Sequence, residues 1–79
     1  MLKAEQLLRK FGLTDREVQV YLALFSQGPS TGYQLATKNE LTKSTVYFVL
    51  EELRKKGLVL KSPSTNKQLF TAKDPNEFL

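Results

Sequence analysis

Apolar residues along the chain recur at helical spacing before they switch to a strand-like pattern. Ala4, Leu7, Leu8 and Phe11 stand at i, i+3, i+4 and i+7, which predicts a single apolar stripe on a helix over residues 2–11, stopped by Gly12. In the next segment Val18, Tyr21, Leu22 and Phe25 form one stripe and Val20 and Leu24 a second, with Ala23 between them. A helix from about Asp15 to Gln27 is therefore expected to be covered from two sides, as the central helix of the core. Its start is marked by Thr14 and Glu17, the Thr-x-x-Glu spacing in which hydroxyl and carboxylate each satisfy an orphan backbone N–H.

Gly28-Pro29 breaks that helix, and Thr31 with Gln34 offers a second capping box. A short helix should follow, burying Leu35 and Ala36 and ending near Lys38 or Asn39. Thr42 then caps a longer helix, whose Val46, Val49, Leu50 and Leu53 must face the core. The same periodicity leaves Lys43, Ser44, Tyr47, Phe48, Glu51 and Arg54 or Lys55 wholly or partly outside. Gly57 has the position of a left-handed C-cap. Beyond it, Leu58 to Lys61 and Gln68 to Ala72 have strand character around an entirely non-apolar turn over residues 62–67. A hairpin this short is marginal alone, so Leu58 or Leu60, with Phe70 and Ala72, should pack on the preceding helix. Asp74-Pro75 looks like a helix start.

A short helix, a turn of about four residues, a longer helix and a hairpin is the order of a winged helix-turn-helix. The fold class expected is mainly α with a small β-hairpin. The 79 residues suffice for one domain, with an N-terminal helix at 1–12, a winged core at 14–73 and a tail or helix start at 74–79.

Composition narrows the function. There is no cysteine, which fits a reducing cytosol, and the longest apolar run, Val20 to Phe25, falls far short of the roughly 20 residues of a membrane helix. A cytoplasmic protein is expected. The net charge of +4 is unevenly placed: residues 38–73 carry eight Lys/Arg against three acids. A basic half of this kind points toward polyanions. Catalysis finds no equipment, since there is no histidine, no cysteine, no phosphate-cradling glycine loop and no plausible metal set among the scattered acids. No cofactor and no small-molecule effector site is expected.

The major groove of DNA admits a helix, and side chains near the N-terminus of that helix reach the base edges. Lys43, Ser44 and Thr45 occupy this first turn, where free backbone N–H groups also favour a phosphate oxygen. Lys43 is suited to guanine O6 and N7, and Ser44 to a base or phosphate. Thr42 is primarily a cap. Tyr47 is suited either to half-buried packing or to a phosphate or thymine methyl. Lys61 and Lys67 flank the wing turn and can reach phosphates, or simply protect a strand edge. Thr31 and Tyr33 open the helix before the turn, an end that commonly touches the DNA backbone. Arg54, Lys55 and Lys56, at the far end of the recognition helix 43–56, are assigned to its dipole.

Gly12-Leu13-Thr14 with Glu17, Tyr21-Leu22-Ala23-Leu24, Gly28-Pro29, Leu35-Ala36, Ser44-Thr45-Val46-Tyr47, Lys56-Gly57-Leu58-Val59 and Asp74-Pro75 together resemble the DNA-binding domain of TrmB-type transcriptional regulators. The similarity runs over residues 7–75. Gly28-Pro29 with Gly32-Tyr33-Gln34-Leu35-Ala36 also looks like the PadR group. The resemblance implies a winged helix that binds double-stranded DNA, with helix 43–56 in the major groove and wing 61–68 on the backbone or minor groove. Two departures stand out. Such regulators usually have glycine where Glu40 stands, so the left-handed residue is either Asn39 or Glu40, the latter at about 1 kcal/mol. The effector domain that usually follows is not represented, which puts metabolite sensing in doubt.

Phe48 also stands among the candidate DNA-binding residues of the outward face, where an exposed aromatic costs solubility unless it touches something. It falls nearly opposite Val46 and Leu50, and with Glu51-Glu52 beside it supports an alternative, a winged-helix adaptor that binds another protein. One such module also covers little DNA, so a homodimer through residues 2–11 and 78–79 is expected.

Overall fold

The computed structural model describes residues 2–62 and 68–77. Helices α1 (Leu2–Lys10), α2 (Asp15–Gln27), α3 (Gly32–Lys38) and α4 (Lys43–Lys55) precede a hairpin of β1 (Val59–Ser62) and β2 (Leu69–Ala72) and a single 3₁₀ turn at Pro75–Glu77. The strands pair antiparallel with Val59 opposite Ala72 and Ser62 opposite Leu69. This is a winged helix-turn-helix preceded by one extra helix. The predicted wing turn at 63–67, with Lys67, and the terminal Phe78 and Leu79 lie outside the described residues, as does the side chain of Ala4.

Local chemistry sets the helix starts. Both predicted capping boxes are formed: the Thr14 hydroxyl accepts from Glu17 N–H while Thr14 N–H donates to Glu17 Oε1, and Thr31 and Gln34 do the same. Thr42 caps α4 by accepting from Thr45 N–H at 3.2 Å. The helix ends obey a second common rule. After α1, α3 and α4, two N–H groups turn back onto carbonyls of the last turn: Gly12 to Arg9 and Leu13 to Leu8, Glu40 to Thr37 and Leu41 to Ala36, Gly57 to Arg54 and Leu58 to Leu53. This paired closure requires a left-handed residue just past the helix, with an apolar residue following it. Gly12 (φ 104°) and Gly57 (φ 84°) adopt that conformation without penalty, whereas at the third end Glu40 adopts it at φ 55°. Of the two sites considered from the sequence, Glu40 bears the strain and Asn39 does not. Glu40→Gly is therefore expected to stabilise the chain by about 0.5–1 kcal/mol, read as a raised urea midpoint at unchanged m-value.

The core lies where α2 and α4 meet, closed by α3 on one side and the hairpin on another. Val18, Val20, Tyr21 and Leu24 of α2 pack with Val46, Val49, Leu50 and Leu53 of α4, with Leu35 and Ala36, and with Leu58, Val59 and Phe70. One expectation needs correction, and two alternatives left open by the sequence are decided. Phe25, in the last turn of α2, is 47% exposed and lies parallel to the Tyr21 ring, because the stripe outruns the elements that cover it. Of α1, Leu8 enters the core while Leu7 and Phe11 stay exposed. Leu58 is buried and Leu60 is not, since the strand begins only at Val59 and Leu58 belongs to the closing turn of α4.

One tertiary link had no signature in the sequence. Ser30 exchanges N–H to carbonyl bonds with Phe70 at 2.8 and 3.1 Å, so the segment joining α2 to α3 adds a one-residue rung to the wing. The Tyr21 phenol donates to the Lys73 carbonyl and ties the end of the wing to α2. Burial, with Asp74 and Glu77 nearby, pushes its pKa up to about 12.

Candidate nucleic-acid interface

The first turns of α3 and α4 lie side by side, and this joins several of the predicted residues. Lys43, at the first position of α4, holds its ammonium 4.3 Å from the centroid of the Tyr33 ring on α3. An exposed cation-π contact of this kind contributes roughly 0.5–1 kcal/mol, enough to favour one orientation of a flexible lysine. Tyr47, one turn along α4, packs with one face and keeps 44% of its surface exposed. Its ring covers Gly32, where an added Cβ would stand 2.5 Å from Cζ, and meets Phe70 edge-on at 6.3 Å between centroids.

Gly32 lies between Thr31 and Tyr33 at the opening of α3, and its contact with Tyr47 has no signature in the sequence. A glycine at the first position of a helix has no local reason to be there, since alanine is the better helix former by about 1 kcal/mol. The reason is the Tyr47 ring. Gly32→Ala is expected to destabilise the native protein by about 1–2 kcal/mol through that clash, and to stabilise a Tyr47→Ala background by propensity alone. A double-mutant cycle by chemical denaturation that shows additive effects would contradict the contact.

On the remaining faces of α4 the polar groups have distinct fates. Thr45 is tied to the cap, its hydroxyl accepting from Thr42 at 2.8 Å. Ser44 is exposed at the outward face. Phe48 is 67% exposed, the most exposed of the large apolar residues described. Ser44, Thr45 and Phe48 line a groove whose other wall is the first turn of α2, with Thr14 and Arg16. Arg16 was also missed. Its position at the start of α2 carries no local signal of proximity to α4.

The basic residues divide into two groups. Arg54 donates to Glu51 Oε2 through Nε at 2.9 Å and through a terminal nitrogen. That hydrogen bonding lowers the Glu51 pKa, with Lys61 adding a smaller attraction. Lys55 pairs with Glu52 at 3.6 Å, and Lys56 reaches Glu17 at 2.8 Å. The three cations assigned from the sequence to the helix dipole are thus each held by a carboxylate. Lys43 and Lys61 make no salt bridge within 4.0 Å among the described residues. Thr31 remains engaged as a cap, and Lys67 lies outside the described residues.

Glu17 is the buried partner in this arrangement. Burial alone would raise its pKa, but the Lys56 ammonium and the Thr14 N–H and hydroxyl outweigh that and lower it. No group of side chains able to hold a metal ion occurs among the described residues, and no described helix is long and apolar enough to cross a membrane.

Comparison with known proteins agrees with this architecture. Residues 8–76 match the family described as sugar-specific transcriptional regulator TrmB. The uncharacterized protein YrhO of Bacillus subtilis is 37% identical over 62 residues, covering 78% of this chain and 22% of that protein. The sugar-sensing transcriptional regulator TrmBL1 of Pyrococcus furiosus is 39% identical over 54 residues, covering 68% of this chain and 16% of that one. The chain thus spans about a fifth of the length of these relatives. Among solved structures, TrmBL2, an archaeal chromatin protein described as having a novel mode of DNA binding, superposes with a TM-score of 0.76 at 30% identity, over 91% of this chain and 27% of that one.

Proposed function

Because the chain belongs to the TrmB family of transcriptional regulators, we propose that it binds double-stranded DNA, with α4 in the major groove and wing 61–68 on the backbone or minor groove. The observation that carries this reading is the distribution of uncommitted charge. Arg54, Lys55 and Lys56 are neutralised by acids at one end of α4, while Lys43 at the other end is held over Tyr33 and Lys61 stands at the wing, both without an ion pair among the described residues. Ser44 and the free N–H groups of the first turn of α4 add donors for phosphate or base. Thr31, Tyr33, Thr42, Thr45, Tyr47 and Lys67 would complete the contact surface, Thr31 and Thr42 largely through the helix ends they cap.

The DNA-binding unit is one domain that works in the cytoplasm as a homodimer. The exposed Leu7 of α1 and Phe11 just past its end favour pairing through residues 2–11 with 78–79, and paired modules would read half-sites about one helical turn apart. The exposure of Phe48 favours a second reading, docking to a protein partner.

Fluorescence anisotropy with a random-sequence duplex separates the two. Phosphate binding weakens steeply between 50 and 200 mM salt, whereas docking through an apolar ring does not. Tight binding at low salt that fades at moderate salt is expected; no binding at low salt would remove the DNA reading.

A further inference from the structure

We infer that Phe48 reads the 5-methyl group of thymine, so that the chain's preferred DNA carries a thymine whose methyl is required for full affinity. The inference rests on the DNA-binding reading above and deepens it.

The geometry of α4 singles out this residue. At about 100° per residue, Ser44 and Phe48 lie roughly 40° apart and both point away from the buried face of Val46, Val49, Leu50 and Leu53. Lys43 and Tyr47 fall to the α3 side, and Thr45 and Glu52 to the α2 side. Of the flanking groups, Tyr47 packs on Gly32 and Phe70, Thr45 is bonded to Thr42 and Glu52 pairs with Lys55, while Lys43 stands over Tyr33 with no ion pair among the described residues, placed for a phosphate. Glu51, the next outward residue, accepts from Arg54. The outward stripe therefore presents one hydroxyl, one large apolar ring, one neutralised carboxylate and, at its far end, Lys55 paired with Glu52.

A ring cannot hydrogen-bond a base edge, and in the major groove the base edges offer a single apolar feature, the thymine methyl. That group supplies the partner for an otherwise costly exposed phenylalanine. Ser44, one turn nearer the helix start, is placed for the neighbouring base. Tyr47 lies on the α3 side with its ring packed over Gly32 and against Phe70, and at 44% exposure it presents less free ring than Phe48 at 67%.

The test begins with selection of duplexes from a random library, followed by replacement of each thymine in the selected site by deoxyuridine, which removes the methyl and nothing else. The expected result is a drop in affinity of about fourfold at one thymine per module, the effect of exposing one buried methyl. In Phe48→Ala the same thymine and deoxyuridine duplexes should bind alike. If deoxyuridine is neutral at every thymine, or if selection enriches no thymine, while binding stays salt-sensitive, this inference is overturned and the DNA-binding reading stands. If no duplex is bound at low salt, both fall.

Discussion

Lys56→Met is expected to lower the stability of the chain by about 2 kcal/mol at neutral pH. Breaking a buried ion pair by removing one partner costs roughly 3–5 kcal/mol. The lower figure applies here because the Glu17 side chain is only 7% exposed while Lys56 is 36% exposed, so water can take up part of the lost contact. The loss should depend on pH with a definite sign. The folded pKa of Glu17 lies below its unfolded value of about 4.5, so its contribution is fully present above that value and disappears as pH falls through the folded one. In the variant, burial is opposed only by the Thr14 N–H and hydroxyl, so the pKa rises from its value in the parent protein, and the penalty of a buried charge is relieved once the carboxyl binds a proton. Urea unfolding curves of the two proteins should therefore lie far apart at pH 7 and draw together in acid, as pH falls through the lowered folded pKa of Glu17. A gap of equal size at neutral and acid pH would mean that Lys56 acts through the helix dipole or its aliphatic stem instead.

Lys43→Gln combined with Lys61→Gln should reduce affinity for a random duplex on the order of 200-fold at 50 mM salt. Each phosphate contact releases about 0.9 counterion from duplex DNA, so at 50 mM one contact is worth about 15-fold relative to 1 M, and two contacts multiply. The slope of log affinity against log salt should fall by about 2, while Lys55→Gln with Arg54→Gln, whose charges are held by Glu52 and Glu51, should change it much less. Equal losses in the two pairs would show that net charge, and not the α4 N-terminus and wing, governs binding. Both pairs are exposed, so unfolding does not obscure the comparison.

What the sequence discloses here is what neighbours in the chain decide. Thr14 with Glu17, Thr31 with Gln34, and Thr42 are legible because a cap is chosen by residues three apart. Gly57 and the apolar face of α4 are legible for the same reason. The candidate site depends on contacts between elements, and these leave little local trace. Lys56 meets Glu17 across 39 residues, and Ser30 pairs with Phe70 across the whole helix-turn-helix. Lys43 over Tyr33 and Tyr47 over Gly32 both depend on how closely α3 approaches α4. Composition shows that residues 38–73 are basic, but it cannot show which cations are already held by acids. Glu40 is intermediate: its place after α3 announces a left-handed residue, yet only the backbone distinguishes it from Asn39.

The most direct test of the account is a titration of the labelled protein with a duplex at low salt, followed by amide resonances. The surface described here predicts that the signals of residues 31–33, 42–48 and 61 shift and return on raising the salt, with those of α1 and of the Phe25 end of α2 unmoved by DNA itself. Shifts centred on Leu7, Phe11 and Phe25, or none at all, would contradict it.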